Sequence, residues 1–186
     1  MNPHLWWYVA RSAGLVAYGP AGDLDRLGLA VSTRLLGRWP AAGWTLDLHR
    51  FLGGLALTFT GIHLAGLQLD NYVRFDALDL LVPLSSPWRP VAVAWGIVGL
   101  YLLLAVEVTS LARRRLPHRL WRRIHLGSFP LLVVTTVHLL AAGTDRTARP
   151  VAGILAVTVA ATTFLVLFRL LLPPRSRAGG PRVSRS

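Results

Sequence analysis

The chain has 186 residues, 53% of them hydrophobic and only 15% charged, with a mean hydropathy of +0.49, which is too apolar for a soluble domain and points to a membrane protein. All 20 basic residues are arginine, against 8 acidic ones, for a net charge of +12. They cluster between long apolar runs, where arginine sets membrane topology rather than gripping nucleic-acid phosphates, and the absence of cysteine excludes disulfides, thiolate metal sites, iron–sulfur clusters and covalent haem attachment.

The first segment, MNPHLWWYVARSAG, lacks a basic region ahead of a compact apolar core and a small-residue cleavage site, so it reads as part of the mature chain rather than a signal peptide. Residues 5 to 35 carry apolar stretches at Tyr8 to Tyr18 and Leu27 to Leu36 with GPAGDLDR between them. Centred in a bilayer, that insert would put Asp23, Asp25 and Arg26 at mid-depth, each at a cost of about 2.5–3.5 kcal/mol, and Pro20 would remove a helical hydrogen bond. The expectation is an interrupted first helix.

Four later runs are long enough to cross the hydrocarbon, which takes roughly 20 residues of helix: 48 to 69, 91 to 112, 121 to 142 and 150 to 172. The fold class predicted is all-α, an integral membrane bundle of four clear transmembrane helices plus the interrupted one. Arginines crowd three segments: Arg34, Arg38 and Arg50; Arg113, Arg114, Arg115, Arg119, Arg122 and Arg123; and Arg175, Arg177, Arg182 and Arg185. The positive-inside rule puts these on the cytoplasmic side of a multi-pass cell-membrane protein, with the C-terminus inside. The alternate connections, 70 to 90 and 143 to 149, balance Asp70, Asp76, Asp79 and Asp145 against Arg74, Arg89, Arg146 and Arg149. The first of these is apolar and aromatic enough to predict a short interfacial helix at the outer surface, and residues 173 to 186 read as a disordered basic cytoplasmic tail.

Of six histidines, His49, His63, His125 and His138 fall within two of the spans. Polar groups at such depth are functional candidates because leaving them unpaired in hydrocarbon is costly. His49 and His63 are 14 residues apart, about 21 Å along one helix and about 40° around it. His125 and His138 are 13 apart, about 20 Å along but about 140° around. Both helices start on the cytoplasmic side, so His49 levels with His125 and His63 with His138, as two six-coordinate haems at two depths would require. The wide angular offset of the second pair needs a local adjustment; Pro130 lies between them, removes one backbone hydrogen bond and can kink the helix, so a local rewinding is expected there. Zinc is a poorer match, since it wants ligands converging on one point. Histidines used only for helix packing or proton relay, in a haem-free scaffold or transporter, are the alternative. His4 and His118 lie in the flanks and read as ordinary surface residues.

The segments LDLHRFLGGLALTFTGIHLAG and RLWRRIHLGSFPLLVVTTVHLLAAGTD, with their 14- and 13-residue histidine intervals, resemble the ferric reductase-like transmembrane domain. This family is shared by NADPH oxidases, ferric reductases and the haem subunit of periplasmic methionine sulfoxide reductase systems, and the likeness spans roughly residues 5 to 172. The resemblance implies two b-type haems, the inner ligated by His49 and His125 and the outer by His63 and His138, within a haem-binding domain over 1 to 172. It also implies electron transfer from a cytoplasmic-side or membrane donor to an extracytoplasmic acceptor such as a ferric chelate, oxygen or a partner reductase. Only the short tail to Ser186 follows Leu172, and no GxGxxG nucleotide fingerprint is present. The donor is therefore expected to be a separate flavoprotein, a quinol or another membrane carrier, and the chain the haem component of an oxidoreductase.

Arg50 and Arg122 flank the inner histidines, where they suit haem propionates as well as they suit topology and lipid headgroups; Arg123 fits the lipid role better. Glu107 is expected to snorkel toward Arg113 or Arg114. Gly53, Gly54, Gly61 and Gly127 are candidates for close approach of a flat macrocycle or of neighbouring helices. Trp44, Trp88 and Trp121 read as interfacial anchors.

Overall fold

The structure is a computed structural model that describes residues 4–33 and 42–171, all helix, turn and loop. In chain order the helices are α1 (Leu5–Thr33), α2 (Ala42–Leu69), α3 (Ala77–Leu81), α4 (Pro90–Leu111), α5 (His118–His125), α6 (Ser128–Ala142) and α7 (Arg149–Leu171), with a 3-10 turn at Arg113–Arg115. The expected tail, like Arg34 and Arg38, lies outside the described residues.

Four stretches are long and apolar enough to cross a membrane: Gly43–Leu69, Pro90–Leu111, His118–Ala142 and Arg149–Phe168. They coincide with the four runs read from the sequence. Large apolar side chains such as Leu111, Val133, Val157 and Phe164 stay exposed on the bundle surface, as they do where the solvent is lipid.

α1 departs from expectation, because its helix runs unbroken through GPAGDLDR with Pro20 inside it. The reason is register. α1 packs along α2 and touches α6 and α7, and its Leu5 end lies on the side of the 70–90 loop, where Trp7 meets Tyr72 and Trp88. Asp23 is therefore about 27 Å along the axis from Leu5, near the far edge of a hydrocarbon layer about 30 Å thick rather than at its centre. Asp23 is accordingly exposed. The hydrogen bond that Pro20 forfeits is outweighed by the packing of the buried Ala10, Ala13 and Tyr18.

Two apolar clusters hold the bundle. Tyr18 of α1 packs with Leu132 of α6 and with Val151 and Leu155 of α7, and its hydroxyl shares a 2.9 Å hydrogen bond with Thr136. Phe75 and Leu80 of the outer loop pack on Val93 and Ile97 of α4. Within that loop α3 is the short helix expected, closed by a capping box in which Asp76 and Asp79 each accept the other's backbone N–H. Asp70 accepts the N–H groups of Tyr72 and Val73 at 3.2 and 2.8 Å. The acidic residues that balanced the outer loops in the sequence thus fold those loops.

The last, Asp145, lies between α6 and α7 and takes both the Nε–H, at 3.0 Å, and an Nη–H of Arg11, 134 residues away. This hydrogen bond holds the Asp145 carboxyl below its ordinary 3.8. Its contribution to stability is therefore complete above that value and disappears as the pH falls through the lower, folded-state value. The pair is partly solvated, so about 0.2–1 kcal/mol is the expected size. Asp145→Asn should lower detergent-solubilised stability by that amount at neutral pH and flatten its dependence on acid, as thermal unfolding across pH will register.

Candidate functional site: two histidine pairs between helices

The structure brings the four intramembrane histidines together two by two. His49 of α2 faces His125 of α5 with ring centres 5.8 Å apart and planes at 57°. His63 of α2 faces His138 of α6 at 6.4 Å and 79°. This is the cross-helix pairing that the spacing implied.

Between His125 and His138 the helix is locally rewound just ahead of Pro130, as expected, where α5 gives way to α6. α5 ends at His125 and α6 starts at Ser128. At the junction, Gly127 N–H donates to Ile124 O at 2.8 Å and Phe129 N–H to Leu126 O at 3.3 Å. These are i→i−3 bonds, which turn each residue through more than an α-helical step. Pro130, lacking an N–H, could not have used the Leu126 carbonyl, and Phe129 takes it instead. Proline thus sits in the first turn of α6, where its missing donor costs little.

Each outer imidazole is fixed by a neighbouring backbone. His63 Nδ1–H donates to the Ala10 carbonyl of α1 and His138 Nδ1–H to the Ala92 carbonyl of α4, both at 2.7 Å. A carbonyl can only accept, so Nδ1 carries the proton in both rings and each Nε2 keeps its lone pair. Such contacts need a helix surface without side chains. Gly14 and Gly96 follow the two carbonyls by one turn, and a Cβ there would meet His63 Nδ1 at 3.0 Å and His138 Cε1 at 2.7 Å. The same approach continues at Gly66, where a Cβ would be 2.9 Å from Ala10 N, and at Gly99, 3.0 Å from Thr135.

The outer pair lines an apolar cavity between α1, α2, α4 and α6, roofed by Trp7, Phe75 and Trp88 and bounded toward the outer loops by Arg11 and Asp145. Arg11 is the one cationic side chain among its lining residues. Nothing local in the sequence marks Arg11, Gly14 or Gly96, because each acquires its role from a residue far along the chain. His4 is likewise no lone surface residue: its ring packs edge-on against Tyr72 at 5.2 Å.

In the inner pair, side chains hold His125. His125 Nδ1 is 3.3 Å from Ser110 Oγ, and the Trp121 indole stacks on its ring. Trp121 is therefore part of the inner site as well as an interfacial residue. Glu107, one turn before Ser110, reaches across to α2, where its carboxylate packs on Gly53, while Arg113 lies over Trp121; the expected snorkelling contact is not formed. Gly53 thus makes room for Glu107, Gly127 packs near Val106, and Gly54 and Gly61 have open space about them. Arg50 is exposed and 3.5 Å from Asp47, and Arg122 is exposed on α5. Among the described residues no three histidine, aspartate or glutamate side chains gather as a metal cluster. Each pair therefore offers two opposed donors, not a closed tetrahedral set.

The profile of the ferric reductase like transmembrane component matches residues 27–136, more than half of the chain. It takes in His49, His63 and His125 and stops just short of His138. No curated protein and no solved structure matches the chain.

Gly96→Ala should drive a methyl into the His138 ring and destabilise the protein by about 1–3 kcal/mol. Gly54→Ala, with nothing in its way, should be neutral or stabilising by up to about 1 kcal/mol. Thermal unfolding of the two variants in detergent compares them directly.

Proposed function

The chain belongs to the ferric reductase-like transmembrane family, and we propose that it carries electrons across the membrane through two b-type haems, from a cytoplasmic-side or membrane donor to an extracytoplasmic acceptor. Domains of this family generally bind haem. The observation that carries the reading is the pair geometry. Two metal–imidazole bonds of about 2 Å, with the offsets from nitrogen to ring centre, put the centres of two axial imidazoles about 6.3 Å apart. The pairs stand at 5.8 and 6.4 Å.

In this reading His49 and His125 would hold the inner haem, and His63 and His138 the outer. Bound haem iron supplies one-electron cycling between its ferric and ferrous states. The protein's part is to hold and tune it. The Nδ1–H bonds to Ala10 and Ala92 orient the outer imidazoles and raise their basicity as ligands. The apolar cavity excludes water, and Arg11, although paired with Asp145, keeps N–H groups that would be available to a macrocycle's carboxylates. Arg50 and Arg122 are the corresponding candidates beside the inner pair. With two histidines to hold each haem, an acceptor would be reduced without binding to the iron. The donor in this reading is a flavoprotein or quinol and the acceptor a small oxidant or a partner reductase. Orientation follows the arginines, with the Arg113–Arg123 face cytoplasmic.

Purified protein should show a low-spin b-haem spectrum on dithionite reduction, with two haems per chain, and His63→Ala should remove one of them. A folded, colourless preparation would sink the proposal in favour of a haem-free scaffold or transporter.

A further inference from the structure

The two histidine pairs are fixed by different means. The outer rings are locked to backbone carbonyls at 2.7 Å, whereas the His125 ring nitrogen meets a serine hydroxyl at 3.3 Å. What contacts the His125 ring over its face is Trp121, one helical turn earlier, with ring centres 4.9 Å apart and planes within 22°. The indole is held in turn by the Arg113 guanidinium, 4.6 Å from its centre, and by the His118 ring at 5.5 Å. The 3-10 turn and the start of α5 thus steady one aromatic plate against one imidazole.

A second, independent feature lies on the same side chain. The Trp121 Nε1–H is buried and has no hydrogen-bond partner among the described residues. Indole N–H groups that leave water ordinarily find an acceptor, and neither the His118 nor the His125 ring places a nitrogen in position to be one. A carboxylate of a bound molecule would serve.

We propose that Trp121 is a positioning residue of the inner site: its stacked ring sets the plane of the His125 imidazole, and its N–H donates to the carboxylate edge of the haem bound between His49 and His125. This rests on the haem reading above. An indole placed only to anchor the chain at the lipid interface would need neither the stack nor a buried N–H without an acceptor.

Haem-loaded protein in detergent provides the test, with Trp121→Phe, which keeps an aromatic ring but drops the donor, Trp121→Leu, which drops both, and Trp44→Phe as an exposed tryptophan control. Transfer of haem to apomyoglobin should be about tenfold faster for one of the two haems in both Trp121 variants. The low-temperature EPR of the ferric protein, which reports the relative planes of axial imidazoles, should change for one haem in Trp121→Leu and stay near wild type in Trp121→Phe. Trp44→Phe should alter neither. In the wild-type chain, independent of any substitution, haem loading should slow deuterium exchange of the Trp121 indole N–H at least tenfold. Two-haem wild-type protein whose Trp121 variants keep wild-type transfer rates and EPR, or whose indole exchange ignores haem, overturns this inference alone. Wild-type protein without haem overturns the functional reading and this inference with it.

Discussion

A neutral imidazole has one nitrogen that must donate and one that must accept, and within a bilayer water is not there to serve either. The outer histidines meet that constraint by giving Nδ1–H to a backbone carbonyl of a neighbouring helix. A helical carbonyl has a second lone pair to offer, so the accepting helix loses nothing. Reaching it requires the ring to lie directly on the neighbour's backbone. The glycines at 14 and 96, and the close crossings continued at Gly66 and Gly99, follow from that requirement. Helix packing and ligand orientation are in this sense one interaction.

In the inner pair, His125 meets a side chain instead: Ser110 Oγ is 3.3 Å from its Nδ1, and the Trp121 ring stacks on its face. His125 also lies next to the break between α5 and α6, where two i→i−3 bonds replace α-helical ones. That break lets one nearly continuous span present both of its histidines to α2, although an ideal helix of the same length would aim them far apart.

Much of the architecture was legible from the chain itself. Spans and loop charges are local properties, and the intervals from His49 to His63 and from His125 to His138 settled which histidines share a level. What a single sequence hides is tertiary. GPAGDLDR looked like a mid-membrane defect because residues 5 to 35 were treated as one centred span, whereas pairing of α1 with α2 shifts the polar stretch to the edge. The rewinding expected near Pro130 is there, but as a full break between two helices, with Pro130 in the first turn of the second. Arg11 and Asp145 are 134 residues apart, and Gly14 and Gly96 differ from the other glycines only in what packs on them. Glu107 was assigned to the nearest arginines in sequence, yet its neighbour belongs to another helix.

Because the outer imidazoles are tethered to main chain, no polar side chain is needed to hold them. Every amino acid carries the oxygen that matters, but Ala10 and Ala92 are themselves buried, so only small side chains fit at either position. The vulnerability lies one turn downstream, at positions whose contribution is having no bulk at all. Wear on this centre would therefore come from added atoms rather than from lost polar groups, and a survey confined to charged and polar substitutions would overlook it.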